Sequence, residues 1–190
     1  MGDMSILAKV FHSLFHSVSG RTAGFTTINF ADMEQHSNFF LTGLMFIGGA
    51  SASTAGGIKV NTLAVLMVAV LASLRGNTHV TAFGRELPQP QIFRALAILM
   101  LGMAMVFTVS FLLTLSEGFP FINILFETVS AFGTVGLSTG ITPELSTIGK
   151  YIIMLTMLLG RVGPLTLALI LAQREEVSPY RFAEERVKIG

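Results

Sequence analysis

The residues of this 190-residue chain best suited to chemistry are two copies of a threonine-glycine turn. Thr22-Ala-Gly-Phe-Thr-Thr27 matches Thr134-Val-Gly-Leu-Ser-Thr139, and one residue out of register Phe15-His-Ser-Val-Ser19 matches Phe126-Glu-Thr-Val-Ser130. A repeat reports architecture, so it is read before isolated motifs. The chemistry on offer belongs to the backbone. Gly24 and Gly136 permit the unusual dihedrals and close approach under which a ring of carbonyls can replace the water around a cation. The expected ion-binding residues are therefore Thr22, Ala23, Gly24 and Phe25, with Thr134, Val135, Gly136 and Leu137.

Something must hold these turns. Each copy follows a short apolar segment, Ser5 to Val18 and Phe121 to Val129, too short for the ~20 helical residues that cross a bilayer core of ~30 Å. Each is followed, after a polar stretch, by a long apolar run. Short helix, glycine turn and long helix is the order of a re-entrant pore loop, in which irregular backbone survives at membrane depth only where it is buried in protein or lines water. The short helix ends at the turn, so its partial negative charge favours a cation there.

Composition agrees with a membrane setting. The chain is 52% hydrophobic and 12% charged, with mean hydropathy +0.70, which is too apolar for an ordinary soluble domain. It has no cysteine, excluding disulfides and thiolate metal sites, and its net charge of +1 offers no field for nucleic acid. Ala95 to Ser116 carries no charge, Tyr151 to Leu171 only Arg161, and Asn38 to Leu74 only Lys59. A straight helix over the last run would reach roughly 55 Å at ~1.5 Å per residue, so it must break. Arg75, Arg85 and Arg94 place the loop between the second and third elements in the cytoplasm.

The break falls in Gly48-Gly-Ala-Ser-Ala-Ser-Thr-Ala-Gly-Gly-Ile-Lys59. Gly48, Gly49, Gly56 and Gly57 each cost about 1 kcal/mol against alanine in a helix, and Ser51, Ser53, Thr54 and Lys59 need polar partners. A loop lining a water-filled pore supplies them. The competing reading is close helix packing by small residues. A phosphate-binding loop is not met, because Ile58 separates Gly57 from Lys59 and Val60 follows. Arg161 either faces the pore as a barrier to cations or pairs with Glu127 or another carboxylate; Pro164 would kink or loosen its helix.

The turns Arg21-Thr-Ala-Gly-Phe25 and Thr134-Val-Gly-Leu137, the stretch Gly48 to Lys59, and Gly160-Arg-Val-Gly-Pro-Leu-Thr166 together resemble the Trk/Ktr/HKT superfamily of potassium transporters, most closely the membrane subunit of bacterial Ktr systems. The resemblance implies an all-α, multi-pass protein of the bacterial inner membrane. It implies a potassium pathway lined by filter segments from four helix, pore loop, helix repeats, and a gate made by the intramembrane loop at 48–62 with Arg161. It divides the chain into a third-type repeat lacking its first helix (1–75), a cytoplasmic loop (76–94), a complete fourth-type repeat (95–172) and a cytoplasmic tail (173–190). Two filter segments cannot ring a cation, so missing N-terminal repeats of the same protein or a second copy are expected, a truncated chain being favoured. A homodimer on a cytoplasmic nucleotide-binding regulatory ring, with possible sodium stimulation, is also implied.

Two other functions stay open. A secondary transporter would bind solute at the broken helix, though such proteins usually pair inverted repeats and these copies run in the same sense; a non-transporting membrane subunit would leave Lys59 and Arg161 without purpose. No nucleophile, base or metal constellation supports an enzyme, and no cofactor is expected beyond the transported potassium. His12 and His16 share a helical face at zinc-ligand spacing but are expected to make ordinary polar contacts. Arg21 is expected to fix its loop by hydrogen bonds, the ten methionines to pack, and the charged tail to be a solvated face or a docking segment.

Overall fold

The computed structural model describes residues 5–51, 53–77 and 79–163. Helix α1 runs Ile6–Ser19, α2 Gln35–Phe46, α3 Val60–Leu74, α4 Gln89–Ser116, α5 Phe121–Gly133 and α6 Thr147–Val162. The starts are written in the sequence. Ser5 accepts from the Ala8 N–H at 3.3 Å and Ser146 from the Gly149 N–H at 3.0 Å, capping α1 and α6. Pro90 sits in the first turn of α4, where its missing N–H costs no helical bond.

Helix α4, with 28 residues, is long and apolar enough to cross a membrane, while α3 and α5 are shorter apolar helices. The connection before it is shorter than expected. Helix α4 begins at Gln89 rather than Ala95, and strands β1 (Thr81–Ala82) and β2 (Arg85–Glu86) pair antiparallel within the connection, a small exception to an all-α fold. Phe83 and Gly84 both have positive φ, 50° and 74°, as a two-residue hairpin turn requires.

The core is built around α5, which packs against α2, α4 and α6. All its residues from Phe126 to Gly133 are buried. It runs four residues past the expected end at Val129, because Gly160 of α6 lies so close that a Cβ there would collide with the Phe132 carbonyl. An aromatic line joins the two repeats: His16 meets Phe30 edge-on at 5.6 Å, and Phe30 lies 5.6 Å from Phe126. The outer face of α1 is uncovered, with Ile6 82% and Phe11 62% exposed. Between α2 and α4 runs an apolar groove of about 960 Å³ lined by Phe39, Phe46, Met103 and Phe107, with little to offer an ion.

Candidate ion-coordination site

Both short helices end in the same unusual backbone. After α1, Thr22 and Gly24 have φ of 72° and 75°; after α5, Thr134 and Gly136 have φ of 52° and 90°. The residue between, Ala23 or Val135, stays at negative φ, and this alternation lets successive carbonyls turn to one side. The N–H groups point back instead. Ala23 and Gly24 donate to the Ser19 carbonyl at 3.1 and 3.2 Å, and Thr134 and Val135 donate to Ala131 and Ser130 at 3.1 and 2.9 Å, closing the helix ends.

The carbonyls of Thr22, Ala23, Gly24, Thr134, Val135 and Gly136 accept no hydrogen bond from the described residues. Val135 is buried, Thr22, Gly24 and Thr134 are half-buried and Ala23 and Gly136 are exposed, so these oxygens are open to water or an ion as partners. The turns also face one another. A Cβ on Gly24 would collide with the Val135 carbonyl, and one on Gly136 would lie 3.8 Å from the Gly24 Cα. Glycine is thus required at 24 both for its dihedral and for the approach of the second turn.

The fourth position differs from the other three. The Phe25 carbonyl accepts the Ser19 hydroxyl, and the Leu137 carbonyl accepts the Ser130 hydroxyl at 2.6 Å. Phe25 and Leu137 were expected to contribute like their neighbours, but one lone pair of each is taken, so the unclaimed oxygens are the first three of each turn. Ser19 and Ser130 are anchors that only their equivalent places in the repeat alignment could have signalled.

Beside the turns lies the break in the long segment. The described residues between Ile47 and Lys59 are irregular chain, a shorter span than the expected 48–62, because α3 resumes at Val60 and takes in Asn61 and Thr62. Its ends are stitched together: Gly48 N–H donates to the Ile58 carbonyl at 2.8 Å and Val60 N–H to the Gly49 carbonyl at 3.2 Å. A Cβ on Gly48 would collide with the Gly56 carbonyl, and Gly57 has φ 68°. Ser53 donates to the Ala50 carbonyl at 2.7 Å, whereas Ser51 is exposed and makes no side-chain hydrogen bond among the described residues.

Two cationic side chains hold the crown of this loop. Lys59 Nζ donates to the carbonyls of Ala55 and, at 3.3 Å, Ser53, while an Arg161 Nη donates to the carbonyl of Thr54. Three consecutive carbonyls are thereby served by two charges. Arg161 is placed by neither expectation alone: it is exposed, and it binds loop backbone instead of Glu127. Gly56 completes the junction by donating its N–H to the Thr134 hydroxyl at 3.0 Å. A Cβ on Gly56 would stand 2.6 Å from that hydroxyl and 2.9 Å from the Gly133 carbonyl, so the loop seats only with glycine there.

Other expectations fare differently. His12 and His16 do not converge on a metal: Nδ1 of His12 lies 3.1 Å from the Thr27 hydroxyl and Nδ1 of His16 lies 2.7 Å from the His12 carbonyl. Arg21 is exposed and its guanidinium makes no hydrogen bond among the described residues, contrary to the expected loop-fixing role. Pro164 and the tail 173–190 lie outside the described residues.

The sequence profile of the family TrkH, cation transport protein, matches residues 1–178. The chain is 44% identical over 190 residues to Ktr system potassium uptake protein B of Bacillus subtilis (strain 168), and 42% identical over 190 residues to the protein of the same name from Vibrio alginolyticus. Each alignment takes in 100% of this chain and 42% of the relative, so the chain spans well under half the length of these proteins. The crystal structure of the potassium transporter TrkH from Vibrio parahaemolyticus superposes with a TM-score of 0.75 at 24% identity, covering 90% of this chain and 39% of that one, which establishes likeness of fold.

Proposed function

We propose, since the chain belongs to the TrkH family of cation transport proteins, that it supplies two of the ion-binding turns of a potassium pathway through a membrane and the gate that closes it. The reading rests on one observation: two turns with matching left-handed residues face each other and leave six carbonyls unclaimed among the described residues. Potassium would shed its water onto these oxygens and pass by diffusion, the negative ends of α1 and α5 adding their field. Both copies run helix, turn, helix in the same sense and share their serine anchors, which favours a pore over a rocking, inverted-repeat transporter.

The loop Ile47–Lys59 is the proposed gate. Arg161 and Lys59 hold its crown carbonyls, and Gly56 ties it to Thr134. Opening would release these bonds and withdraw two positive charges from the cation path. The remaining turns of the ring would come from further repeats of a longer product or from a second copy, which would also cover the exposed face of α1. The relatives' name, that of one member of a Ktr system, supports a membrane subunit working with others. A homodimer on a cytoplasmic nucleotide-binding ring, in contact with the hairpin 81–86 and the tail, is the arrangement we infer, in a bacterial inner membrane.

The test uses the whole gene product in cells unable to take up potassium. Gly24→Ala and Gly136→Ala are expected to cut uptake or the preference for potassium over sodium by about tenfold or more, equivalent to about 1.4 kcal/mol at the ion. Full uptake and unchanged preference in both variants would remove the assignment. Repeating the wild-type measurement with and without sodium decides whether sodium stimulates the flux.

A further inference from the structure

We propose that Glu127 and His16 are positioning residues for the ion-binding carbonyls, holding each turn from behind. The proposal rests on the filter reading above. The two residues occupy the same place in the repeat, Glu127 in Phe126-Glu-Thr-Val-Ser130 and His16 in Phe15-His-Ser-Val-Ser19. Both are buried, at 5% and 6% exposed.

A buried carboxylate demands donors, and those of Glu127 all come from the chain that leaves the second turn. Oε1 accepts the Thr139 N–H at 2.9 Å, the Ser138 hydroxyl at 2.5 Å and the Thr139 hydroxyl at 3.3 Å; Oε2 accepts the Thr142 hydroxyl at 2.8 Å. Among the described residues it has no basic partner within ion-pair distance. Such a carboxylate binds one segment of backbone and fixes its position.

The first repeat does the same with different chemistry. Nδ1 of His16 donates to the His12 carbonyl at 2.7 Å, which leaves Nε2 as an acceptor, and the Thr27 N–H lies 3.5 Å from it. Thr27 is the repeat equivalent of Thr139. Each turn is therefore pinned twice: a serine hydroxyl takes its fourth carbonyl, and the residue three places earlier in the short helix takes the N–H two residues further on. The free carbonyls precede both pins along the chain. A turn held there cannot slide to close around a smaller ion, which makes the acceptors determinants of spacing. Four bonds from Glu127 to the chain leaving the second turn, against one longer bond from His16 to the chain leaving the first, make the second turn the stiffer.

The experiment measures rubidium uptake by the reconstituted full-length protein, with potassium and sodium as competitors, in Glu127→Ala, Glu127→Asp, Glu127→Gln, His16→Ala and His16→Gln. The Ala and Asp variants at 127 are expected to raise KM and lower the potassium-over-sodium ratio by about tenfold. Glu127→Gln, whose amide oxygen still accepts the Thr139 N–H, restores most of it. His16→Ala shifts the ratio less, and His16→Gln restores it. An unchanged KM and ratio in Glu127→Ala and Glu127→Asp, with only Vmax following the amount of protein in the membrane, would overturn the proposal, as would Gln behaving like Ala. If an Ala variant fails to reach the membrane, Glu127→Asp carries the same reading. Gly136→Ala is run alongside. If it changes the ratio while the Glu127 variants do not, the positioning role falls and the filter stands; if it too has no effect, the filter reading falls.

Discussion

The backbone N–H of Gly56 donates to the hydroxyl of Thr134, joining the loop that interrupts the α2–α3 segment directly to the first residue of the second carbonyl turn. Two segments far apart in sequence therefore share one hydrogen bond at the junction of the proposed gate and the proposed ion path. Withdrawal of the loop from this seat breaks the bond, which would couple the proposed gate to the turn.

Thr134→Val keeps the branched shape while removing the acceptor. It leaves the buried Gly56 N–H unpartnered, a cost of about 1–3 kcal/mol to the seated loop. Higher flux through the reconstituted protein is expected, and flux equal to wild type would show that this bond does not restrain the loop.

Arg161→Ala removes the donor that holds the Thr54 carbonyl. Because the guanidinium is exposed, the loss should appear as raised or less regulated flux with a small change in thermal stability. A large drop in melting temperature with normal flux would instead assign Arg161 to the scaffold.

Two glycine substitutions separate packing from conformation. Gly160→Ala drives a methyl into the Phe132 carbonyl and is expected to cost at least about 1–3 kcal/mol. Gly43→Ala lies in a helix with nothing within 4 Å of the new atom, and should gain about 0.5–1 kcal/mol. Thermal denaturation in detergent compares them, and equal effects would contradict the closeness of α5 and α6.

Acid should weaken the tether between α4 and α6. The Ser146 hydroxyl, at 2.5 Å, holds the Glu117 carboxyl below the ordinary carboxylate range, and the Ser146 N–H at 3.1 Å and Lys150 act in the same direction against the opposing effect of burial. A carboxyl lowered in the folded state adds stability above its unfolded value and loses it as pH falls through the folded value. Ser146→Ala should therefore flatten the decline in stability as pH falls through and below the ordinary carboxylate range, while also losing the α6 cap; an unaltered slope there would show that Glu117 plays no part.

Much of this was legible in the sequence because it is written locally. Glycine beside threonine marks both turns, and four glycines in an over-long apolar run mark the break. The partners of Arg161 and Glu127 were not legible, since a loop carbonyl and a set of hydroxyls carry no signature that distinguishes them from solvent-facing neighbours. The apolar segment Phe121 to Val129 is visible in the sequence, but the continuation of α5 to Gly133 is not. What extends it is tertiary, the fit of Phe132 against Gly160 and Phe46, the latter ring stacked at 5.8 Å.

The oxygens of Thr22 to Gly24 and Thr134 to Gly136 are the proposed ligands of the transported ion. Thallium, a potassium surrogate with strong anomalous scattering, locates that ion directly in crystals of the full-length protein. Anomalous density is expected between the facing turns, within contact of those six carbonyls and reduced in Gly136→Ala crystals. Density confined to side-chain hydroxyls or carboxylates elsewhere, with the space between the turns empty, would contradict the account.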